Sequence, residues 1–166
     1  MTVVDIPKID ADRLRALFPD MLGACRYFDI GSGWMMPVSQ LCVALRKLPT
    51  GSVQVGELSQ KMGGLRVTLE EISLPQEQQT AARHAKIFAE ERSRYICEVC
   101  GQMGDIRKPP EGVPSAWVYC LCHRHLPRER RGWPIDRRAR RYQIGGVPWV
   151  YDDLLGRLRV DEQGDA

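Results

Sequence analysis

No stretch of this 166-residue chain stays uncharged long enough to cross a membrane. Arg, Lys, Asp or Glu interrupts every apolar run short of the roughly 18–20 residues a spanning helix needs. The opening Met1-Thr-Val-Val-Asp5 has neither a basic leader nor an apolar export segment, so a cytoplasmic location and no membrane partner are expected. No GxSxG, Walker A or GxGxxG pattern occurs, which removes the usual sequence marks of serine hydrolases, P-loop NTPases and dinucleotide-binding folds. Histidine is scarce, with three in the chain. What is there suits one folded domain with a small satellite: 43% apolar residues, 27% charged residues and a net charge of +3. Six cysteines in an unexported chain are expected as thiols or metal ligands rather than disulfides.

The modest net charge conceals a strong local one. Residues 1–96, 97–122 and 142–166 carry balances of +1, −1 and −3, whereas 123–141 carries +6. Ahead of that segment the pattern is mixed α and β. A first helix is expected near 10–18, capped by Asp10, with Leu14, Leu17 and Phe18 on one face and Pro19 ending or kinking it. Gly31-Ser-Gly-Trp34 reads as a turn with Ser32 a candidate N-cap. A second helix follows over about 36–48, burying Met36, Val38, Leu41, Cys42, Leu45 and Leu48. Period-2 alternation in Val53-Gln-Val55 and Leu65-Arg-Val67-Thr-Leu69, with Gly63-Gly64 between them, predicts a β-hairpin. A helix–turn–helix over 55–70 is the weaker reading, since each glycine would cost a recognition helix about 1 kcal/mol. A third helix is expected over about 75–95, with Ala81, Ala85, Phe88 and Tyr95 on one face.

The chemistry concentrates after that helix. Cys97-Glu-Val-Cys100 is a CxxC, and Cys122-His-Arg-His125 supplies a second pair beyond a Gly- and Pro-rich stretch and the strand-like Ala116-Trp-Val-Tyr119. Two-residue gaps let each pair converge on one ion from a single tight turn, and thiolate with imidazole suits tetrahedral Zn²⁺. Cys97, Cys100, Cys122 and His125 are the expected ligands, with Cys120 and His123 as alternates. Four protein ligands make a structural site, and a segment this poor in apolar residues would draw much of its folding free energy from the ion. A catalytic zinc would need an open position and an acid–base neighbour, and Glu98 sits inside the knuckle. A ββα-metal nuclease would need a second histidine centre, yet His84 alone lies outside the motif, on the face expected to be exposed. Cys25 and Cys42 are expected as small core residues.

Arg128, Arg130, Arg131, Arg137, Arg138, Arg140 and Arg141, with Trp133 among them, have two readings. Arginine forks grip phosphates while an aromatic stacks on bases. Alternatively, the run is a solvated face, or one that docks on an acidic protein or on the acidic tail after 150. Trp149-Val-Tyr151 with Leu154, Leu155 and Leu158 is expected to pack back onto the core, or else to meet a partner.

The ordered set Phe18-Pro19, Gly31-Ser-Gly-Trp34, Gln60-Lys-Met-Gly-Gly-Leu-Arg66, Cys97-Glu-Val-Cys100-Gly and Cys122-His-Arg-His125 resembles a family of small phage and prophage proteins. That family has a GDGW-like segment, a KEKFGxLR-like hairpin and a terminal CxxCG…LCxxH zinc ribbon. The resemblance covers about 14–125 and departs at Ser32, where the family usually has Asp, and at Met62, usually Phe. It implies a structural zinc and a mobile-element origin, and it names no reaction. The expected architecture is α+β: helices around a small antiparallel sheet (1–95), a treble-clef or zinc-ribbon module (96–126) and an Arg-rich extension (127–166). The expected function is a non-enzymatic binder of a host protein complex, acting as an inhibitor of a host defence complex. A nucleic-acid-binding regulator is the alternative, and a metal-dependent nuclease the third choice.

Overall fold

The structure, a computed structural model, describes residues 4–71, 74–113, 117–136 and 139–162. Helix α1 (Ala11–Leu17) begins where expected, because the Asp10 carboxylate accepts the Arg13 backbone N–H at 2.9 Å. Phe18 leaves helical geometry at φ −134° and Pro19 opens the short α2 (Pro19–Leu22). That break turns Phe18 inward with Leu14 and leaves Leu17 in solvent, against its expected place on the buried face. After β1 (Tyr27–Asp29) comes a 3₁₀ turn over Ser32–Trp34, which leads into α3 (Met35–Leu45). Val38, Leu41, Cys42 and Leu45 of α3 are buried as expected, whereas Met36 lies outward.

Strands β2 (Val53–Lys61) and β3 (Gly64–Glu71) form the expected hairpin, but β1 joins β2 in parallel, so the first sheet is mixed rather than antiparallel. Helix α3 supplies the crossover that a parallel pair requires. The hairpin turn is Met62-Gly63, with φ of 52° and 75°, and Gly64 pairs with Lys61 as the first residue of β3. Two positive φ values give the turn type that matches strand twist. Met62 is the only non-glycine with positive φ among the described residues, and it is 64% exposed. Left-handed geometry costs an ordinary residue about 1–2 kcal/mol, and Asn tolerates it better. Met62→Asn is therefore expected to stabilise the protein by about 0.5–1 kcal/mol, seen as a higher denaturant midpoint at unchanged slope.

Helix α4 (Gln76–Ser93) is buried on two sides. Ala82, Ala85 and Ala89 face the main core with α3 and the first sheet, while Ile87 faces a second cluster with Phe88 and Tyr95. Ala81, expected on the buried face, is exposed. His84, expected in solvent, is half-buried with its ring edge-on to Trp149 at 4.9 Å, and burial lowers its pKa.

The strand expected over 116–119 begins only at Cys120: β5 (Cys120–Leu121) pairs with β4 (Asp105–Ile106), and Ala116 lies outside the described residues. The Arg-rich extension ends in an antiparallel meander, β6 (Arg141–Ile144), β7 (Val147–Asp152) and β8 (Arg157–Val160). Ile144, Tyr151 and Leu158 pack on Ile87, and Tyr151 stacks on Tyr95 at 5.5 Å. The C-terminal apolar residues thus largely return to the core, while Leu154 and Leu155 are exposed at the β7–β8 turn. Among the described residues no helix is long and apolar enough to cross a membrane.

Candidate metal centre

The chain leaves α4 through Tyr95 and Ile96 directly into the CxxC knuckle. Gly101 N–H closes it on the Cys97 carbonyl at 2.9 Å, and Cys97 N–H donates to the Gln102 carbonyl at 2.7 Å. The second pair begins as β5 ends. Cys122 opens a tight turn whose His125 and Leu126 N–H groups both donate to the Cys122 carbonyl, at 3.1 and 3.0 Å. Strand β5 ties the two halves together, since Glu98 N–H donates to the Cys120 carbonyl and Cys120 N–H donates to the Glu98 carboxylate, both at 3.0 Å.

These turns bring one ligand atom each from Cys97, Cys100, Cys122 and His125 within 4.8 Å of one another. Cys97 Sγ lies 3.6 Å from His125 Nδ1, Cys122 Sγ lies 3.3 Å from that nitrogen, and Cys100 Sγ lies 3.8 Å from Cys122 Sγ. A three-thiol, one-imidazole set of this size can hold a metal ion. Neither alternate joins it. The Cys120 thiol donates to the Arg94 carbonyl at 3.1 Å and packs with Ile106 and Val118, while His123 is exposed. Strand alternation would have put Cys120 and Cys122 on one side, but β5 stops at Leu121 and the turn carries Cys122 away. Burial pushes the Cys97 thiol up to about 11. Burial also raises Cys122, but N–H groups of His125 and Arg124 and the His125 ring outweigh it and bring that thiol to about 7.

The knuckle rests on the Gly31–Trp34 turn. Gly33 N–H donates to the Glu98 carbonyl at 2.8 Å, Ser32 Oγ to the Val99 carbonyl at 3.1 Å, and Trp34 Nε1 to the Ile96 carbonyl at 2.9 Å. Ser32 therefore does not cap a helix, as its position suggested; its hydroxyl is spent on the knuckle. Sequence reading placed a turn and a helix cap here, but no contact with the knuckle. The signal available was two glycines flanking a hydroxyl residue just before a Trp, the pattern of a backbone approached closely by another backbone. Glu98 completes the support: it is 1% exposed, burial pushes it up to about 7, and the Cys120 N–H and the Gln60 amide partly offset that.

The arginine run divides. Arg128 and Arg131 are exposed, whereas Arg130 is buried between the rings of Tyr119 and Trp133, 5.6 and 5.1 Å away. Its Nη1 donates to the Trp117 carbonyl at 3.0 Å. Arg130, expected at a polyanion surface, is thus held inside the fold, with the half-buried Trp133 against it. A desolvated guanidinium between two rings gains more than it would from a mobile phosphate in water. Arg130→Ala is expected to cost about 1–3 kcal/mol in a denaturant melt, whereas Arg128→Ala stays within about 0.5 kcal/mol. Arg137 and Arg138 lie outside the described residues. Arg140 is exposed, and Arg141 pairs with Asp161 at 2.6 Å, a contact with the acidic tail. No family model, curated protein or solved structure matches this chain.

Proposed function

We propose that this is a non-enzymatic protein, stiffened by one structural Zn²⁺, that acts by occupying a surface on another macromolecule. The carrying observation is the closed Cys97, Cys100, Cys122 and His125 set. Around a tetrahedral Zn²⁺ with Zn–S of about 2.3 Å and Zn–N of about 2.0 Å, ligand atoms sit roughly 3.8 Å apart for S···S and about 3.5 Å for S···N. Three of the six separations, at 3.8, 3.6 and 3.3 Å, match those edges, and all four ligand atoms lie within 4.8 Å of one another. When bound, the ion cross-links the knuckle to the turn after β5, in the manner of a treble-clef or zinc-ribbon module. The surrounding residues position rather than react. The Glu98 carboxylate is taken up by the Cys120 N–H, and the knuckle carbonyls are taken up by Gly33, Ser32 and Trp34.

The sequence resemblance to phage and prophage proteins supports a mobile-element origin, a host protein complex as the partner and inhibition of a host defence complex as the sharpest form. Native mass spectrometry is expected to show one zinc per chain and, in bacterial extract, one recurrent stoichiometric protein partner. Cobalt-substituted protein should show a tetrahedral thiolate spectrum that added anions do not perturb. An anion-sensitive spectrum, or a folded metal-free chain, overturns the structural reading. Recovery of nucleic acid alone, with no stoichiometric protein, would count against the protein partner.

A further inference from the structure

Strand β3 is an edge strand, and α4 covers only part of its open side. Leu65 N–H donates to Ser93 Oγ at 2.7 Å and Val67 N–H to Glu90 Oε1 at 2.9 Å. By strand alternation the next outward amide is that of Leu69. There α4 and β3 diverge, and the cleft between them is lined by Arg66, Arg83 and Lys86 together with Thr68, Gln76 and Gln79. It holds about 560 Å³, and Gly145 of the β6–β7 turn lines it as well. Arg66 also lines an adjoining cavity of about 310 Å³, to which Lys61, Arg140 and Arg141 contribute.

The acidic groups of the two cavities are fewer and mostly committed. Glu90 is buried and sits 3.8 Å from both Arg66 and Lys86, besides accepting the Val67 amide. Glu91 accepts the Tyr142 hydroxyl at 2.5 Å and faces Arg94 at 3.8 Å. Glu71 is exposed at the rim. One carboxylate is thus shared by two cations, Arg83 is exposed and in no ion pair among the described residues, and a clear positive excess lies along one furrow.

We infer that the cleft between β3 and α4, continued past Arg66 toward Arg140, binds single-stranded nucleic acid, with backbone phosphates on Arg66, Arg83 and Lys86. This deepens the non-enzymatic binding reading and rests on it. Cations spaced along a furrow match a repeating phosphate charge, and the amides of Gln76 and Gln79 with the Thr68 hydroxyl offer hydrogen bonds to base edges. Cavities of this size fall in the range of nucleotide and small-ligand clefts, roughly 300–1,000 Å³. A rigid duplex can touch only the rim of such cavities, whereas a flexible single strand can follow the furrow. An acidic peptide would gain little from such a furrow beyond charge, since amides and hydroxyls rather than apolar pockets fill it.

The test is fluorescence anisotropy of the zinc-loaded full chain with labelled single strands of about a dozen nucleotides, DNA and RNA as separate arms. Duplex DNA and polyglutamate serve as competitors. Single strands are expected to bind and to compete better than either. Arg66→Gln/Arg83→Gln/Lys86→Gln should weaken binding by at least about tenfold. The same variant should reduce the salt slope by about 2, because each phosphate neutralised on a single strand adds about 0.7 to it. Gln76→Glu should weaken binding several-fold without loss of stability, because a carboxylate in the first turn of a helix is favourable. Arg128→Ala/Arg131→Ala should leave affinity within about twofold. Binding unaffected by the triple variant and by Gln76→Glu overturns the assignment, as does equal competition by duplex or polyglutamate, or no single-strand binding at low salt. Should that happen while the extract still yields a stoichiometric protein partner, the cleft assignment alone has failed.

Discussion

Stripping the proposed zinc is expected to lower the thermal midpoint of this protein by about 10–20 °C and to remove the ordered structure of the knuckle, β4–β5 and the loop around Arg130. The magnitude comes from comparing two terms. The apolar residues near the site form two small groups, one around Cys97, Leu121 and Cys122 and the other of Ile106, Val118 and Cys120. Neither is large enough to hold its segment together unaided. Structural Zn²⁺ contributes about 10–16 kcal/mol of apparent binding free energy in small modules, comparable to the entire stability of an ordinary domain. Even a third of that is a shift of this size, at about 2–4 °C per kcal/mol for a chain of this length. Metal content before and after chelation, with paired melts, decides it, and Cys122→Ser should reproduce the chelated melt. The effect has a pH sign. Binding requires thiolates, and Cys122 near 7 and Cys97 near 11 must give up protons to the solvent. Apparent affinity should therefore fall as pH is lowered from 8 to 6, by about tenfold per unit for each proton displaced. An identical melt in chelator, with no metal found, removes the ion from the account of this fold.

The ligand set was legible because its signal is local: two short spacings, each closed by one turn. The hairpin was legible too, though its turn sits one residue earlier than the paired glycines suggest, since Met62 takes the left-handed position. What sequence periodicity misses is decided by contacts between distant segments. The buried faces of α4 depend on both the first sheet and the C-terminal meander, so a single helical stripe predicted Ala81 inside and His84 outside, the reverse of what packing imposes. The meander itself carried a signal that composition obscured, with alternation on either side of Gly145-Gly146 hidden by the surrounding arginines. Arg130 shows the same limit from the other direction. The nearby Arg128 and Arg131 are exposed, yet the Tyr119 ring and the Trp117 carbonyl from before the segment, with the Trp133 ring three residues on, bury Arg130.

Gly33→Ala is expected to be among the most damaging single substitutions in the chain, costing more than about 4 kcal/mol and lowering metal occupancy along with stability. A β-carbon at this position would lie 2.0 Å from the Cys97 carbonyl oxygen, 2.6 Å from the Gly101 nitrogen and 2.8 Å from the Glu98 carbonyl carbon. All three are backbone atoms, so no side-chain rotation relieves the overlap. The knuckle must move, and its contacts move with it: the Gly33–Glu98, Ser32–Val99 and Trp34–Ile96 hydrogen bonds form as one unit. Trp34 is fully buried, so lifting the knuckle from the turn leaves its indole N–H unpartnered in the core. Two controls separate this cause from generic glycine effects. Gly132→Ala, where an added β-carbon meets nothing within 4 Å, should change stability by less than about 0.5 kcal/mol. Ser32→Ala, which removes one of the three bonds without intruding, should cost about 1 kcal/mol and leave metal binding intact. Should Gly33→Ala melt like the wild type with a full complement of metal, the Gly31–Trp34 turn is not what carries the knuckle.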